Sequence, residues 1–529
     1  MSQSSSMRIY DEVPTEVEDV MNSIIKKIAS KKKKGKKFIM GNSTIKFMDE
    51  NTPYPLKAHQ TDGLKRLLKM EKVSPINGGL LCDEPGMGKT IQIGALMKAN
   101  PVNTNLIIVP VCVVNQWADA MRNIFDSKNI VVHTGMGRPK SWEQLRINRT
   151  TDGKDNMSNI IVITTYGIVT ASKKTRDNLV YENEWGRVIL DEGHYIRNSK
   201  TNIFEKVNKL KRTYSWILTG TPLQNKMADI KTLFKFVNSK KVAMPLNDMI
   251  SNNLLRRTKK HLENTLSKLD DYTITNCQCK FISKEEQHFY LALHRNIMDD
   301  LGGEAAMAYG DVSMEMLEQI LRLRQASIHP ELALHSFSRK YGFIPTEKED
   351  YKSSTKITKF IEKVKDVEGY SIAFCHFRAE MNMLQTELGK NGIDSELYHG
   401  SMSSSERQSI LGKFPKDRVS KKVLIIQIKA GGVGLNLQQF TSIFIISPDW
   451  NPSNEIQAIA RAHRIGQSKK VEVFKFTTII NDRFLEECEK GMNIKTIDEM
   501  IISKQKIKRT LMAEVLDDVT LEHNEVSLV

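Results

Sequence analysis

One stretch constrains this chain more than any other: Gly79-Leu80-Leu81-Cys82-Asp83-Glu84-Pro85-Gly86-Met87-Gly88-Lys89-Thr90. A short apolar run, long enough for a buried strand, ends in a turn that holds two glycines. The chain then opens onto Ile91 to Met97, which reads as a helix. Strand, glycine turn and helix in that order form the context of a phosphate-binding loop. Backbone N–H groups at a helix N-terminus point outward, and the helix dipole favours an anion there. Gly86 and Gly88 let the backbone approach phosphate oxygens closely. Lys89 is placed to reach β- and γ-phosphates, and Thr90 to offer its hydroxyl to Mg²⁺. The strict form of the motif has a glycine where Asp83 stands.

A chain of 529 residues has room for two to four domains, each able to bury its own core. With 40% hydrophobic and 26% charged residues the composition is that of a soluble globular protein. No apolar run is long enough to span a bilayer. The polar N-terminus has no secretory apolar region. The 6 cysteines are scattered, which fits neither a disulfide framework nor a zinc finger, so no zinc is expected and a reducing compartment is. The net charge is +16, and the lysines between Lys26 and Lys37 supply half of it. A chain that stays basic without that run suits a polyanion such as nucleic acid. The run Lys31 to Lys37 itself reads as nuclear targeting, as DNA contact or as a solvated tail.

Residues 1–50 are expected to be a basic, mobile arm. From 51 to 239 apolar strands alternate with helical segments, the pattern of a parallel sheet with helices on both faces. Strands are expected at 79–82, 106–109, 160–164, 188–190 and 215–219. Residues 240–353 read as a helical insert or linker, with Leu317, Ile320, Leu321 and Leu323 as an apolar face. A second alternating block covers 354–490, with strands at 371–375, 423–427, 443–446 and 471–476 and a helix over 454–463. Residues 491–529 read as a charged helical tail. The fold class is therefore α/β, two doubly wound parallel-sheet lobes with a helical insert between them.

Asp191-Glu192-Gly193-His194 follows the apolar run Val188 to Leu190. A carboxylate at the C-terminal end of a parallel strand lies where such sheets bind ligands. Asp191 is expected to hold Mg²⁺, and Glu192 to orient and deprotonate a water. The segment Leu218-Thr219-Gly220-Thr221-Pro222 offers hydroxyls after a strand, suited to couple phosphate loss to movement. Far along the chain, Arg461 and Arg464 sit three apart, and a helix would place them on one face. Two guanidiniums presented together suit the charge of a γ-phosphoryl transition state. They belong to the second lobe, so ATP is expected in the cleft between lobes, with catalysis requiring closure.

In these blocks the chain resembles the SWI/SNF-type family of DNA translocases, within the superfamily 2 helicase-type ATPases. The residues that carry the resemblance are Asp83 to Thr90, Asp191 to His194 and Leu218 to Asn225. Leu255 to Lys259, Arg322 to Gln325 with His329-Pro330, Lys429 to Leu437, Asp449 to Pro452 and Gln457 to Gln467 complete it. It spans roughly residues 50 to 490. It implies two RecA-like lobes, with Asp83 as the form this family uses in place of glycine. It also implies that Gln60 reads adenine, that Asp83, Glu84, Pro85, Gly86, Met87, Gly88, Lys89 and Thr90 surround the phosphates, and that Gly434 and Gln457 approach the nucleotide. His194, Thr219, Gly220 and Thr221 would couple hydrolysis to movement. Asn115, Gln116, Trp117, Thr165, Lys429, Ala430 and Gly431 fall where the family touches a DNA strand. Trp117 equally suits core packing, and Trp450 could simply anchor its loop. Pro85 stands where Met is usual, which stiffens the loop. Gln427 and Ile428 stand where hydroxyl residues are common. No ring-type cysteines interrupt the insert, and the compact length resembles the short family members of large DNA viruses.

The resemblance implies a DNA-dependent ATPase that uses ATP and Mg²⁺ to step along double-stranded DNA, remodelling DNA–protein complexes without separating strands. The partner is duplex DNA, with nucleosomes or transcription and repair proteins as cargo, in the nucleus or at a site of viral DNA replication. A monomer is compatible with the sequence. Two other readings stand beside it: a strand-unwinding DNA or RNA helicase, and a non-catalytic DNA-bound transcription adaptor.

Overall fold

A computed structural model describes residues 56–524, apart from 136–137, 140, 148–159, 172–178, 224–226, 259–271, 302–313, 335–353, 416–419, 429–434, 465–466, 468, 488–490 and 492–493. All of these lie in one compact unit, residues 53–529. The expected basic arm, the Lys31 to Lys37 run included, lies outside the described residues.

The first sheet has seven strands: β1 (Gly78–Leu81), β2 (Thr104–Val109), β3 (Ile130–Val132), β4 (Ile160–Thr165), β5 (Trp185–Asp191), β6 (Arg212–Leu218) and β7 (Leu254–Leu255). Their order across the sheet is β3-β4-β2-β5-β6-β1-β7, and every pairing is parallel. Parallel strands are covered by helices on both faces, so they read as continuous apolar runs. Ile107, Ile108, Val162, Ile163, Val188, Ile189 and Leu190 are all fully buried. Because the strands share one direction, the loops that follow β1, β2, β4, β5 and β6 all emerge on one edge. Three helices matter for that edge: α1 (Ala58–Lys72), α2 (Lys89–Ala99) and α3 (Val114–Ile124).

A buried ionic network ties α1 to this sheet. Arg187 Nε and Nη2 donate to the two oxygens of Glu71 at 2.7 Å each, and Trp216 Nε1 and Asn100 Nδ2 donate to the same carboxylate at 2.7 Å. Both charged side chains are wholly buried. Leaving either without its partner would cost about 3–5 kcal/mol, so the network fixes where α1 lies rather than adding net stability.

The second sheet has six strands: β8 (Thr273–Lys280), β9 (Tyr370–Cys375), β10 (Asp394–Tyr398), β11 (Lys422–Gln427), β12 (Ser442–Ile445) and β13 (Glu472–Ile479). The order is β10-β11-β9-β12-β13-β8, again parallel throughout. The fold class is thus as expected, two parallel-sheet α/β lobes.

The segment 240–353 is not a purely helical insert. It supplies β7 to the first sheet and β8, along its full length, to the second. It also contributes α4 (Lys284–Leu301) and α5 (Met314–Ala326). Of the apolar face expected on α5, Ile320 and Leu323 are buried, whereas Leu317 and Leu321 are exposed. The tail is also more than an appendage. Helices α6 (Thr355–Asp366), α7 (Pro452–Ala462) and α8 (Ile497–Asn524) close the second lobe. Ile497 and Ile501 of α8 are buried in one core with Phe281, Tyr290 and Leu323. Asp498 makes a fully buried ion pair with Lys356 at 2.6 Å. Trp450 is anchored by this helix: Lys508 Nζ donates to its carbonyl at 3.0 Å, and the Lys504 ammonium lies 5.3 Å from its ring centre.

Candidate ATP and nucleic-acid site

The loop after β1 turns through two left-handed glycines, Gly86 (φ 91°) and Gly88 (φ 81°). The left-handed backbone at Gly88 strains any residue with a Cβ, and such a Cβ would also come within 2.3 Å of Gln60 Nε2 and displace it. Gln60 Nε2 and His59 Nε2 both reach the Met87 carbonyl, at 3.3 and 3.1 Å. Helix α2 opens at Lys89, its first backbone bond being Gln92 N–H to Gly88 O at 3.1 Å. The N–H groups ahead of it have no partner within the helix and supply the donors of an anion cradle. Lys89 Nζ lies over the loop, donating to Asp83 O at 2.7 Å and Glu84 O at 3.4 Å.

The Asp83 carboxylate is engaged within the protein and is not turned toward the phosphate cradle. The side chain is fully buried and faces away from the loop. Arg257 Nε and Nη2 donate to its two oxygens at 3.0 and 2.5 Å, and Gln92 Nε2 donates at 2.9 Å. Arg257 also bonds the His59 carbonyl and Gln92 Oε1. The aspartate therefore clamps the loop to α1, α2 and the strand β7, and its place in the loop is structural. The Met87 side chain is likewise buried, and its N–H donates to Glu84 O at 3.3 Å, so Met87 helps to shape the loop.

Asp191 ends β5 and Glu192 follows in a left-handed conformation (φ 49°, ψ 46°) that a non-glycine residue adopts only under constraint. The turn sets the two carboxylates side by side. Burial and the charge of Glu192 push the Asp191 carboxyl up to about 6, against the Trp117 hydrogen bond and the charge of Lys89. Burial works in the same upward direction on Glu192, but His194, Lys89 and Arg461 outweigh it and hold Glu192 below the usual carboxylate range. His194 Nδ1 lies 3.3 Å from Glu192 Oε2. Thr219 and Thr221 follow β6. Thr219 N–H bonds to Leu81 O at 3.2 Å, and a Cβ on Gly220 would sit 3.1 Å from Pro85 Cδ, so this segment lies directly on the phosphate loop. Thr221 Oγ1 is buried with no hydrogen-bond partner among the described residues.

The second lobe completes the arrangement. Asn451 caps α7, its side chain accepting from Ser453 N at 3.1 Å, with Pro452 at the first helical position. Gln457 Nε2 donates to Glu192 Oε2 across the cleft at 3.3 Å. Arg461 is buried one turn further on, and its charge is felt at both Glu192 and Asp191. Arg464 does not share a helical face with it, because α7 ends at Ala462 and His463 is its C-cap. Arg464 Nε instead folds back to Ala460 O at 2.9 Å. Burial and then the Arg461 charge lower its guanidinium to about 10.

The expected DNA contacts divide. Asn115 and Gln116 are exposed in the first turn of α3. Trp117 is not: Val114, Trp117, Ala118 and Met121 form the inward stripe of that helix. Its indole Nε1 donates to Asp191 Oδ2 at 2.7 Å. Thr165 is buried as well, its hydroxyl accepting from Ile168 N at 3.4 Å to cap the next helix. Lys429, Ala430, Gly431 and Gly434 lie outside the described residues. Sequence reasoning placed Arg257 in a matching block and Thr164-Thr165-Tyr166 beside DNA but gave neither Arg257, Trp117 nor Tyr166 its partner; the Tyr166 hydroxyl donates to Asp191 O at 2.7 Å. The aspartate in a glycine position was the one available signal that a buried cation should be sought.

The donor set fits a nucleotide phosphate chain with Mg²⁺: a glycine cradle, a lysine whose charge reaches two adjacent carboxylates, a half-buried Thr90 beside it and the buried Thr221 hydroxyl, unpartnered among the described residues. No three His, Cys, Asp or Glu residues are grouped to hold a metal among the described residues. Mg²⁺ suits such a site, since it takes one or two protein oxygens and completes its shell with phosphate and water. No described helix is long and apolar enough to cross a membrane.

Residues 59–244 match the SNF2-related domain, and residues 355–466 match the helicase conserved C-terminal domain. The chain is similar to the chromatin remodeling factor mit1 of Schizosaccharomyces pombe, 26% identical over 85% of this chain and 34% of that protein. A mouse SWI/SNF-related, matrix-associated, actin-dependent regulator of chromatin (subfamily A member 1) is 25% identical over 84% of this chain and 43% of its own length. DNA repair protein RAD5B of Arabidopsis thaliana is 25% identical over 83% and 45%. The chain thus spans about a third to under half the length of these curated relatives.

Proposed function

We propose that this chain, which carries an SNF2-related domain followed by a helicase conserved C-terminal domain, is a DNA-dependent ATPase that moves along double-stranded DNA. The observation that carries the reading is the cross-lobe contact of Gln457 with Glu192, with Arg461 close enough to be felt by the same carboxylate. An ATP site split between two lobes can turn hydrolysis into a change of lobe position. A phosphate loop alone could bind nucleotide without moving anything.

In this reading Gly86 to Thr90 hold the phosphates through backbone N–H groups and Lys89, beside Gln60. Thr90 and Asp191 hold Mg²⁺, which when bound neutralises phosphate oxygens. Glu192, kept ionised, orients a water and takes its proton. Arg461 presents its guanidinium from the far lobe, with Arg464 adding positive charge behind it. Thr219, Gly220 and Thr221, resting on Pro85, pass loop movement to β6. Asn115 and Gln116 offer uncharged donors to DNA phosphates, contacts that position without reading sequence. The relatives, described as chromatin and DNA-repair factors, support work on DNA–protein complexes and a nuclear site of action.

The test is the ATPase rate with duplex DNA, single-stranded DNA, RNA and nucleosomes in parallel. Duplex DNA, free or in nucleosomes, is expected to stimulate most. A rate that duplex DNA leaves unchanged would overturn the proposal. Stimulation by single-stranded RNA, with release of a labelled strand, would favour an unwinding helicase instead.

A further inference from the structure

Two hydrogen bonds end on Asp191 from segments that have no other part in the nucleotide site. Trp117 Nε1 donates to its carboxylate Oδ2 at 2.7 Å, and Tyr166 Oη donates to its backbone O at 2.7 Å. Trp117 belongs to the first turn of α3, directly after the exposed Asn115 and Gln116. Tyr166 follows the last residue of β4 and begins the next helix. Both elements emerge on the C-terminal edge of the first sheet, on the side of β5 away from β6 and the phosphate loop.

Glu192 is joined to the same segments by stacked rings. The Tyr166 ring stacks on Tyr195 at 5.1 Å and 19°, and Tyr195 on His194 at 5.2 Å and 22°. His194 Nδ1 stands 3.3 Å from Glu192 Oε2. A shift of α3 or of the β4 end therefore reaches both carboxylates through rigid groups, with no flexible side chain between. Tryptophan and tyrosine suit this use, since each spans a long distance with only two rotatable bonds and one polar atom at the tip.

We propose that Trp117 and Tyr166 are positioning residues that carry the state of the DNA-facing edge of the first lobe to the Asp191–Glu192 pair, and so set how strongly duplex DNA stimulates hydrolysis. The proposal rests on the DNA-dependent ATPase reading above. The motion is small: an ångström at a reacting group changes a rate by about a hundredfold. DNA seated against Asn115 and Gln116 holds α3, Trp117 holds the carboxylate, and the Tyr166–Tyr195–His194 stack keeps Glu192 turned toward the cleft.

The experiment compares the full-length wild type with Tyr166→Phe and Trp117→Phe. Tyr166→Phe removes one oxygen and leaves the stack intact, so it decides the matter if Trp117→Phe fails to fold. The readout is the ratio of ATPase rate with a saturating blunt duplex to the rate without it. A second readout, free of nucleotide, is hydrogen exchange of the 191–197 backbone with and without duplex. The expected result is a stimulation ratio lower by about tenfold in either variant, the upper end of what one lost hydrogen bond is worth. Duplex affinity is expected to be unchanged, and the DNA-induced protection of 191–197 expected of the wild type should be lost. A stimulated wild type whose ratio survives in Tyr166→Phe would overturn the coupling alone. Equal loss of both rates, with protection retained, would also overturn it and leave these residues as plain structural supports. A wild-type ratio of one would overturn the DNA-dependent reading, and the coupling with it.

Discussion

Glu192→Gln is expected to lower duplex-stimulated ATP turnover by about 10²- to 10⁴-fold, the range that a positioned general base contributes. The substitution keeps the shape of the side chain and its reach to Gln457 while removing its basicity. Glu192 is suited to the task because opposing effects on it do not cancel. Burial favours its protonated form, but the nearby His194 and the charges of Lys89 and Arg461 favour the ionised one more strongly. It therefore sits in the cleft as a carboxylate able to take a proton. Its strained backbone points the same way, since a left-handed glutamate persists only where its surroundings hold it. The check is steady-state turnover at saturating duplex beside duplex affinity measured by fluorescence anisotropy. Affinity should stay close to that of the wild type. Turnover within about threefold of wild type would remove Glu192 from the role of base.

Arg461→Ala is expected to cost more, about 10³- to 10⁵-fold in turnover, the range known for arginines that stabilise a phosphoryl-transfer transition state. Arg461 comes from α7 in the second lobe, is buried, and exerts its charge on both acidic residues of the first. ATP binding by the first lobe should survive, because the phosphate loop, Lys89 and Gln60 are untouched. Nucleotide binding followed with a fluorescent ATP analogue, set beside turnover, separates the two effects. Equal loss of binding and turnover would mean that Arg461 supports the ground state and has no special part in the transition state.

Much of this arrangement was legible because parallel strands buried on both faces leave apolar runs that need no interpretation. β2, β4, β5 and β9 lie where those runs are. β8 was not legible, for a physical reason. It is an edge strand, Thr-Ile-Thr-Asn-Cys-Gln-Cys-Lys, with most of its residues exposed, so neither an apolar run nor a strict alternation marks it. The role of the tail was hidden similarly, since α8 carries a charged composition while Ile497, Asp498, Met500, Ile501 and Gln505 turn inward.

Within the site, the residues whose chemistry is set locally were readable: the glycines of the loop, Lys89, and the Asp191–Glu192 pair. Those whose meaning depends on a distant partner were not. Nothing near Trp117 in the sequence says that its indole meets a carboxylate at the end of β5, because the neighbour order of β2 and β5 brings them together. Asp83 is the instructive case. It occupies a glycine position in a phosphate loop, yet its carboxylate belongs to Arg257, supplied by the segment after β7. The departure from the strict motif is a buried anchor for the loop, held from outside it.

The most direct measurement of the central claim is displacement of a third strand from a triplex on a longer duplex. Given ATP, the protein is expected to release the third strand while the two duplex strands stay paired, and Glu192→Gln is expected to release none. Vigorous DNA-stimulated hydrolysis with the third strand left in place, or release accompanied by separation of the duplex, would contradict movement along intact double-stranded DNA.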